Sequence, residues 1–366
     1  MTPRATSDAG RSGRQARTPR SSHFTPAVLA AAGVTLVLWA SAFAGIRAAL
    51  AGPPPLAGVF GYAPGQLALL RFLIASAILA AAAIARRMSL PRRRDIPMIA
   101  LAGFLGVTVY HVCLNIGETR VSAGASSLIV ASQTVFVAIL ATVFLGERIS
   151  KRGWAGIAIS LVGVTIIAMG ESGGIRIDPA ALFVLAATIG TSCYFVMQKP
   201  LLRRYGPFEM TCYAIWTGTL FMLPFAPGLP GAVIRAPLAA TMSVVYLGIF
   251  PAAIAYVLWT YVLKNLPSTI ASSLLYISPV LAILIGFVWL HELPSLLAFA
   301  GGALSVGGVV LVNLRGVVTP RVVVPAGKSA EEPHGSDAVE ADLGATAEMP
   351  VDGEPLPAPE VLGLDE

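Results

Sequence analysis

The sequence predicts an all-α membrane protein with ten transmembrane helices, arranged as two inverted five-helix repeats. Three observations lead to this prediction: an apolar composition, ten apolar segments long enough to cross a bilayer, and a duplication at an offset of 145 residues. Of the 366 residues, 56% are apolar and 12% are charged, whereas soluble domains carry about 25% charged residues. The net charge of +6 reflects Arg and Lys beside the spans and does not indicate a nucleic-acid partner.

The spans follow from the thickness of the bilayer. A hydrocarbon core of about 30 Å requires about 20 mostly apolar residues per helix. Ten segments meet this requirement, of which the fifth, seventh and tenth are short: Pro26 to Leu50, Gln66 to Ile84, Ile96 to Ile116, Ala123 to Leu145, Trp154 to Met169, Ala180 to Met197, Met210 to Phe225, Ala239 to Leu263, Thr269 to Leu290 and Leu296 to Val312.

Basic residues predict the orientation. They collect before the first span and in every second loop after it, while the opposite loops hold only Arg120, Arg176 and Arg235. Since Lys and Arg are retained on the cytoplasmic side, both termini are expected in the cytoplasm of a multi-pass protein of the cytoplasmic (inner) membrane. The first apolar stretch could also be a secretory signal, but it is long for one and its removal would leave the first repeat a helix short.

The predicted organisation has five parts. A basic cytoplasmic tail covers 1–24, the first repeat 25–170, a linker 171–178, the second repeat 179–315 and an acidic cytoplasmic tail 316–366. Both tails are too poor in apolar residues to offset the entropy of ordering, so we expect disorder there. A regulatory or partner-binding role for them stays open.

The duplication is visible in identical residues at the same offset. Gly156 matches Gly301, Ser160 matches Ser305, and Glu147 matches Glu292. Because five helices is an odd number, the second copy lies upside down relative to the first. Such inverted duplication is typical of secondary transporters.

The chain resembles the EamA family of the drug/metabolite transporter superfamily. The strings that carry the resemblance are Leu38–Phe43, Leu70–Phe72, Leu145–Ser150, Ile277–Pro279 and Leu290–Glu292. The resemblance implies export or uptake of small metabolites by alternating access, with a cavity made mainly by the first, third, fourth, sixth, eighth and ninth helices. One departure is Thr134, which stands where the ninth helix has Pro279; we therefore expect the fourth helix to lack the corresponding kink.

Candidate cavity residues lie near mid-membrane in the fourth and ninth helices, the depth at which inverted-repeat transporters bind substrate. The strongest are Gln133, Thr134, Tyr276 and Ser278. Aromatic walls and directed donors are expected from a second set, each of which has packing as the alternative interpretation: Tyr110, Asn115, Trp39, Tyr194, Tyr256 and Trp259.

Three ionisable residues are candidates for charge or coupling roles. Arg71 lies about 9 Å inside the second span, where it would contact an anionic substrate group or pair with Glu118. Alternatively, it snorkels to the headgroups or braces helices. His111 is either a histidine capped by a neighbour or a proton-coupling site.

Glu147 and Glu292 end helices at opposite membrane faces, so acid/base chemistry between them is excluded. We expect them to link consecutive helices locally, beside the helix-capping residues Ser150 and Ser295. The small residues of the fifth and tenth helices predict either close helix packing or a homodimer through one of these helices.

The residues and the resemblance together predict a secondary transporter, an exporter of a small organic metabolite such as an amino acid or related compound, working by alternating access. No cofactor or metal is expected, because phosphate-binding, metal-ligating and hydrolase motifs are absent from the sequence. Cys113, Cys193 and Cys212 are interpreted as small apolar fillers. The alternative is an integral-membrane enzyme acting on a lipid or isoprenoid substrate, which would require a cluster of carboxylates or histidines at one interface.

Overall fold

Helices make up almost all of the chain that the structure describes. A computed structural model describes residues 25–51, 61–145, 148–171, 178–202, 204–265, 274–315 and 317–318. The elements are α1 (Pro26–Ala51), α2 (Pro64–Ala85), α3 (Ile96–Gly103), a π-helical segment (Phe104–Val109), α4 (Tyr110–Gly117), α5 (Ala123–Ala131), α6 (Gln133–Leu145), β1 (Arg148–Ile149), α7 (Lys151–Glu171), α8 (Pro179–Leu201), α9 (Pro207–Phe221), α10 (Leu229–Arg235), α11 (Leu238–Leu247), a second π-helical segment (Gly248–Ile254), α12 (Ala255–Asn265), α13 (Ser278–Leu290), α14 (Leu296–Arg315) and β2 (Val317–Val318).

Helix starts are set by residues suited to the first turn. Pro64, Pro179 and Pro207 each occupy a first helical position, where a missing amide hydrogen removes no helical bond. Ser150 and Ser295 accept the amides of residues three positions later, at 3.1 and 3.0 Å. The predicted capping role of these two serines is therefore confirmed.

Seven of the described helical stretches are long and apolar enough to cross a membrane. Two further apolar helices, Leu275–Leu290 and Leu296–Val312, are shorter, and α9, which covers most of the predicted seventh span, has 15 residues. Large apolar side chains such as Phe144, Leu220 and Leu238 point outward, as expected for a surface in contact with lipid. The chain is thus a multi-pass membrane protein.

The duplication reappears in the positions of the elements. α6 and α13 begin at residues 133 and 278, and α7 and α14 begin at residues 151 and 296, so the sequence offset separates both pairs. The π-helical segments fall at matching places as well, since residues 104–109 correspond to 249–254. Periodicity in the sequence did not predict the π-helical segments, because an apolar helix shows no change of pattern where one residue is added to a turn.

The fourth span is interrupted without a proline. The helix stops at Ala131 and restarts at Gln133, with Ser132 between, and the Ser132 hydroxyl donates to the carbonyl of Ile129 at 2.6 Å. The ninth span has a 3₁₀ turn, Leu275–Ile277, at the matching place. The fourth span is therefore interrupted at the same place as the ninth although it has no proline, because a serine hydroxyl competes locally for the backbone carbonyl. The expected difference in kink between the two helices stays a prediction.

The equivalent helices α7 and α14 pack closely and run antiparallel. Ser160 and Ser305, which match in the duplication, share a buried hydrogen bond of 3.1 Å. On one side of this contact Gly156 lies against Gly308, and on the other side Gly163 lies against Gly301. The small-residue faces thus bind each other within one chain, which confirms the prediction of close helix packing. A homodimer through the fifth or tenth helix stays a prediction.

The first helix of each half packs on the other half. α1 lies against α11, α12 and α13, while α8 lies against α3, α4, α5 and α6. The largest buried cluster accordingly contains residues of both halves, including Phe43, Ile129, Val184 and Leu247. β1 and β2 pair antiparallel, which holds the residues after α14 beside the start of α7.

Candidate functional site

A polar seam lies buried along one face of α4. His111, Asn115 and Glu118 are four and three residues apart, so they line the same side of the helix. Arg71, from α2, lies against the deep end of this line. Exposure is 3% for Arg71 and His111 and 0% for Asn115 and Glu118. We refer to these four residues as the polar seam.

Much of the hydrogen-bonding capacity of the polar seam is unused. An Arg71 Nη1 nitrogen lies 3.5 Å from His111 Nδ1, and Asn115 Nδ2 donates to the carbonyl of Pro64 at 2.9 Å. Within the described part of the chain, no partner is found for Arg71 Nε, His111 Nε2, Asn115 Oδ1 or either oxygen of Glu118. Buried polar atoms are nearly always paired, so a group of orphans requires an explanation.

The burial of Arg71 removes one of the roles considered for it. At 3% exposure the side chain does not snorkel to the headgroups, so that alternative was wrong. The guanidinium lies 5.4 Å from the centroid of the Phe72 ring. Tyr256 of α12 packs on the buried cluster that contains Phe72, and Glu118 makes no hydrogen bond to Arg71.

His111 lies between aromatic rings. Its ring centroid is 4.4 Å from that of Phe72 and 4.5 Å from that of Tyr110. With Nδ1 facing Arg71, the ring has one contact to a cation and one nitrogen without a partner among the described residues. The histidine is therefore not fully capped by its neighbours.

At the Glu118 end of the polar seam, the Arg47 side chain joins three segments of the chain. Its Nε and Nη2 donate to the two carboxylate oxygens of Glu292 at 3.2 and 2.6 Å, and Nη1 donates to the carbonyl of Glu118 at 2.6 Å. A guanidinium matches a carboxylate in this two-bond geometry. We refer to the contact between Arg47 and Glu292 as the clasp.

The clasp corrects the expected role of Glu292. The residue does not act locally, because its partner belongs to α1, 245 residues away. Its repeat equivalent, Glu147, lies outside the described residues, so its predicted structural role stays a prediction. Pro279 is buried in the first turn of α13, where a proline is tolerated, and it follows the 3₁₀ turn that interrupts the ninth span.

The four strongest cavity candidates fall in two segments that touch. Tyr276 forms a side-chain hydrogen bond to Thr134 and packs on the cluster around Val135. The carbonyl of Gln133 accepts a hydrogen bond from Ser192 at 3.3 Å, and Ser278 begins α13. The two interrupted helices thus meet at Thr134 and Tyr276.

Three of the aromatic candidates form one cluster. The Trp39 ring lies 5.4 Å from Tyr256 and 5.2 Å from Trp259, between centroids, and Trp39 Nε1 donates to the carbonyl of Pro251 at 3.2 Å. This cluster joins α1 to α12, and Tyr256 also packs on the buried cluster that contains Phe72. Tyr194 lies elsewhere, packed over Gly106 in the first π-helical segment.

The opposite end of the bundle holds a second contact between the halves. Asp95, before α3, forms an ion pair with Arg204 and accepts a hydrogen bond from the Tyr205 hydroxyl at 2.7 Å. Neither this contact nor the clasp was predicted, because pairing across more than 100 residues has no local signal. In the described segments, no group of three or more His, Cys, Asp or Glu residues could hold a metal ion.

Apolar spans with buried charges between them define a multi-pass membrane protein of the transporter class. A family model described as the EamA-like transporter family matches residues 25–169 and again residues 178–314. The chain therefore belongs to the EamA-like transporter family, and the resemblance noted in the sequence is confirmed.

Several relatives are transporters by name. A "probable terminal-alkyne amino-acid exporter" of Streptantibioticus cattleyicolor is 44% identical over 282 residues, covering 77% of this chain and 92% of the relative. The "uncharacterized transporter YdfC" of Bacillus subtilis is 42% identical over 278 residues, covering 76% and 88%. The inner membrane transporter YedA of Escherichia coli K12 is 28% identical, covering 79% and 92%. The protein is therefore a transporter and not an enzyme.

One solved crystal structure shares the fold. It aligns with a TM-score of 0.53 at 22% identity, covering 78% of this chain and 94% of that chain.

Proposed function

We propose that the protein is a secondary exporter of a small amino-acid metabolite, working by alternating access between two inverted five-helix repeats. The observation that carries this proposal is the polar seam, where Arg71 and Glu118 are buried with unpaired atoms. Ionisable groups inside a membrane protein are expensive and mark substrate or ion paths. The 44% identical relative, named for amino-acid export, supports the class of substrate.

The antiparallel contact of α7 and α14 supports inversion. Two equivalent helices that run in opposite directions, crossing at equivalent serines, are what a twofold axis in the membrane plane would produce. In this arrangement the seven long apolar stretches and the three shorter helices α9, α13 and α14 would together make ten spans. The basic loops then favour cytoplasmic termini in the inner membrane.

Alternating access would rock one half against the other. Since α1 and α8 each pack on the opposite half, a relative movement has to change contacts at both ends of the bundle. The clasp lies at one end and the contact of Asp95 with Arg204 lies at the other. Gln133, Thr134, Tyr276 and Ser278 are our candidates for the cavity between them.

Flux measurements test the function. Sealed vesicles containing the purified protein should exchange labelled amino acids with an unlabelled internal pool, whereas empty vesicles should not. Gln133→Ala should change this flux without loss of folded protein, since a cavity residue contacts the substrate. Tyr276→Phe should change the flux for the same reason. Tyr261→Phe, on an exposed part of α12, is its matched control. Flux that is unchanged by both cavity substitutions would reject the cavity assignment.

Orientation has a separate test. Single cysteines at the exposed positions His291 and Arg94, in a protein whose three native cysteines are replaced by alanine, would be treated with a thiol reagent that cannot cross membranes. Intact cells should label the cysteine at 291 only, and permeabilised cells should label both. Labelling of both positions from outside would contradict the proposed topology.

A further inference from the structure

The ionisable groups around the polar seam balance each other. Arg47 and Arg71 contribute two positive charges, and Glu118 and Glu292 contribute two negative charges when ionised. Each of the other three groups acts electrostatically on Glu118, so the four form one connected set. A ligand with net charge would leave an uncompensated charge in this buried region, which costs several kcal/mol. A ligand whose charges sum to zero would not.

The orphaned atoms have opposite chemical character at the two ends of the polar seam. Arg71 offers a donor at the deep end, and Glu118 offers two acceptor oxygens at the outer end. Asn115 lies between them with an unused acceptor oxygen. A ligand that pairs all of these groups needs an anionic acceptor at one end and a cationic donor at the other.

The separation of the two ends fits a small zwitterion. From His111, which contacts Arg71, to Glu118 is seven residues, or about 10 Å along a helix. An α-amino acid presents its carboxylate and ammonium about 3 Å apart, and a hydrogen bond of about 2.9 Å on each side extends this reach to about 9 Å.

We propose that the polar seam binds the zwitterionic head of an α-amino acid, with Arg71 binding the carboxylate and Glu118 binding the ammonium group. This inference rests on the proposed function and names the substrate subsites of the exporter. Asn115 is the further acceptor beside the ammonium group. Because all of these groups are buried, the substrate reaches them only when the bundle opens.

The neighbourhood of Arg71 indicates the substrate side chain. Tyr256 packs on the buried cluster that contains Phe72, the residue next to Arg71, and stacks edge-on with Trp39, so an aromatic surface begins near the carboxylate subsite. In the described part of the chain this cluster contributes no charged side chain. An uncharged, apolar or aromatic side chain is therefore the class that we assign.

Competition in vesicles tests the two subsites separately. The probe is labelled L-phenylalanine, and the competitors are phenylalaninamide, which lacks the carboxylate, and 3-phenylpropionate, which lacks the ammonium group. With the unaltered protein, each competitor should be at least 10-fold weaker than unlabelled phenylalanine. Arg71→Gln should abolish discrimination against the amide and keep discrimination against phenylpropionate. Glu118→Gln should show the opposite pattern.

Controls separate a binding role from a folding role. Arg235→Gln, at an exposed site, should leave both discriminations intact. Arg71→Lys keeps the charge and should retain part of the discrimination against the amide, a readout that a merely structural role would not move. If both Gln variants fail to fold, Arg71→Lys decides for the carboxylate subsite and Glu118→Asp for the ammonium subsite. Glu118→Asp keeps the charge on a shorter side chain and should lose part of the discrimination against phenylpropionate, whereas full discrimination in both variants would overturn the assignment.

The outcomes are distinct. If the unaltered protein exchanges no amino acid, the proposed function is wrong and the subsites with it. If it exchanges phenylalanine but Arg71→Gln and Glu118→Gln keep both discriminations, transport stands and the assignment of the subsites is overturned. Loss of both discriminations in both variants equally would also overturn it, because the two ends would not act on separate groups of the substrate.

Discussion

Replacing Gly308 by alanine should separate α7 from α14. A methyl group built at this position would lie 2.5 Å from the carbonyl oxygen of Gly156 and 2.5 Å from the amide nitrogen of Ser160, which is 0.9 Å short of the 3.4 Å at which ordinary contact begins. Both obstacles are backbone atoms, so no side-chain rotation relieves the clash. The helices must therefore move apart by about 1 Å, loosening the contacts along their shared face.

We expect Gly308→Ala to lower the free energy of unfolding by about 1–3 kcal/mol, the usual range for overpacking. At about 2–4 °C per kcal/mol, the melting temperature in detergent should fall by about 2–12 °C. Gly307→Ala is the matched control, because a methyl group there meets nothing within 4 Å. Intrinsic tryptophan fluorescence on heating would measure both. Equal melting temperatures for the two variants would refute the close packing of α7 on α14.

Three further outcomes follow from the site. Arg47→Gln should lower the free energy of unfolding by about 1–3 kcal/mol, because it removes charge-assisted hydrogen bonds. In thermal unfolding, the double variant Arg47→Gln with Glu292→Gln should be no less stable than the less stable of the two single variants. Additive losses of stability would contradict the clasp. Tyr276→Phe should slow exchange by removing the hydrogen bond to Thr134, with the melting temperature changed by less than about 3 °C. Burial raises the pKa of the Glu118 carboxyl, against the opposing charge of Arg47. The apparent substrate affinity should therefore strengthen as the pH rises through the pKa of Glu118. In Glu118→Gln the affinity should not change over the same pH range.

The sign of the pH effect follows from which form binds. A protonated Glu118 cannot pair with an ammonium group, and a raised pKa keeps it protonated to higher pH than an ordinary glutamate. The groups whose charges act on it are Arg47, Arg71 and Glu292. Affinity that falls as pH rises would contradict the assignment of Glu118 to the ammonium group.

The sequence predicted features that depend on nearby residues. Apolar segments located the spans, and Ser150 and Ser295 were identified as caps because the bond they make reaches only three residues along the chain. The duplication was visible because the residues that let α7 and α14 approach, Gly and Ser, are the same in both copies. What the sequence left open was the partner of each small-residue face.

Features that depend on distant residues were missed. The contact of Arg47 with Glu292 was not predicted, because the two residues are 245 positions apart in the chain. The break at Ser132 was missed for a different reason: proline was taken as the signal for an interrupted helix, and a serine hydroxyl can compete for the same carbonyl. A helix that is apolar on all sides does not show in its sequence which face is buried. The position of Arg71 beside α4 could therefore be seen only in the structure.

The two halves differ where charge is concerned, and this difference bears on the number of binding sites. At the offset of 145 residues, the sequence positions that correspond to His111, Asn115 and Glu118 hold Tyr256, Thr260 and Leu263. The second half thus keeps the helical framework, including its π-helical segment, but carries no ionisable group that could bind an ammonium ion at the matching position. If the polar seam binds the ammonium group as proposed, the second half therefore has no equivalent subsite for it. On this proposal, the first half contributes a single head-group site, whose access would change as the halves rock.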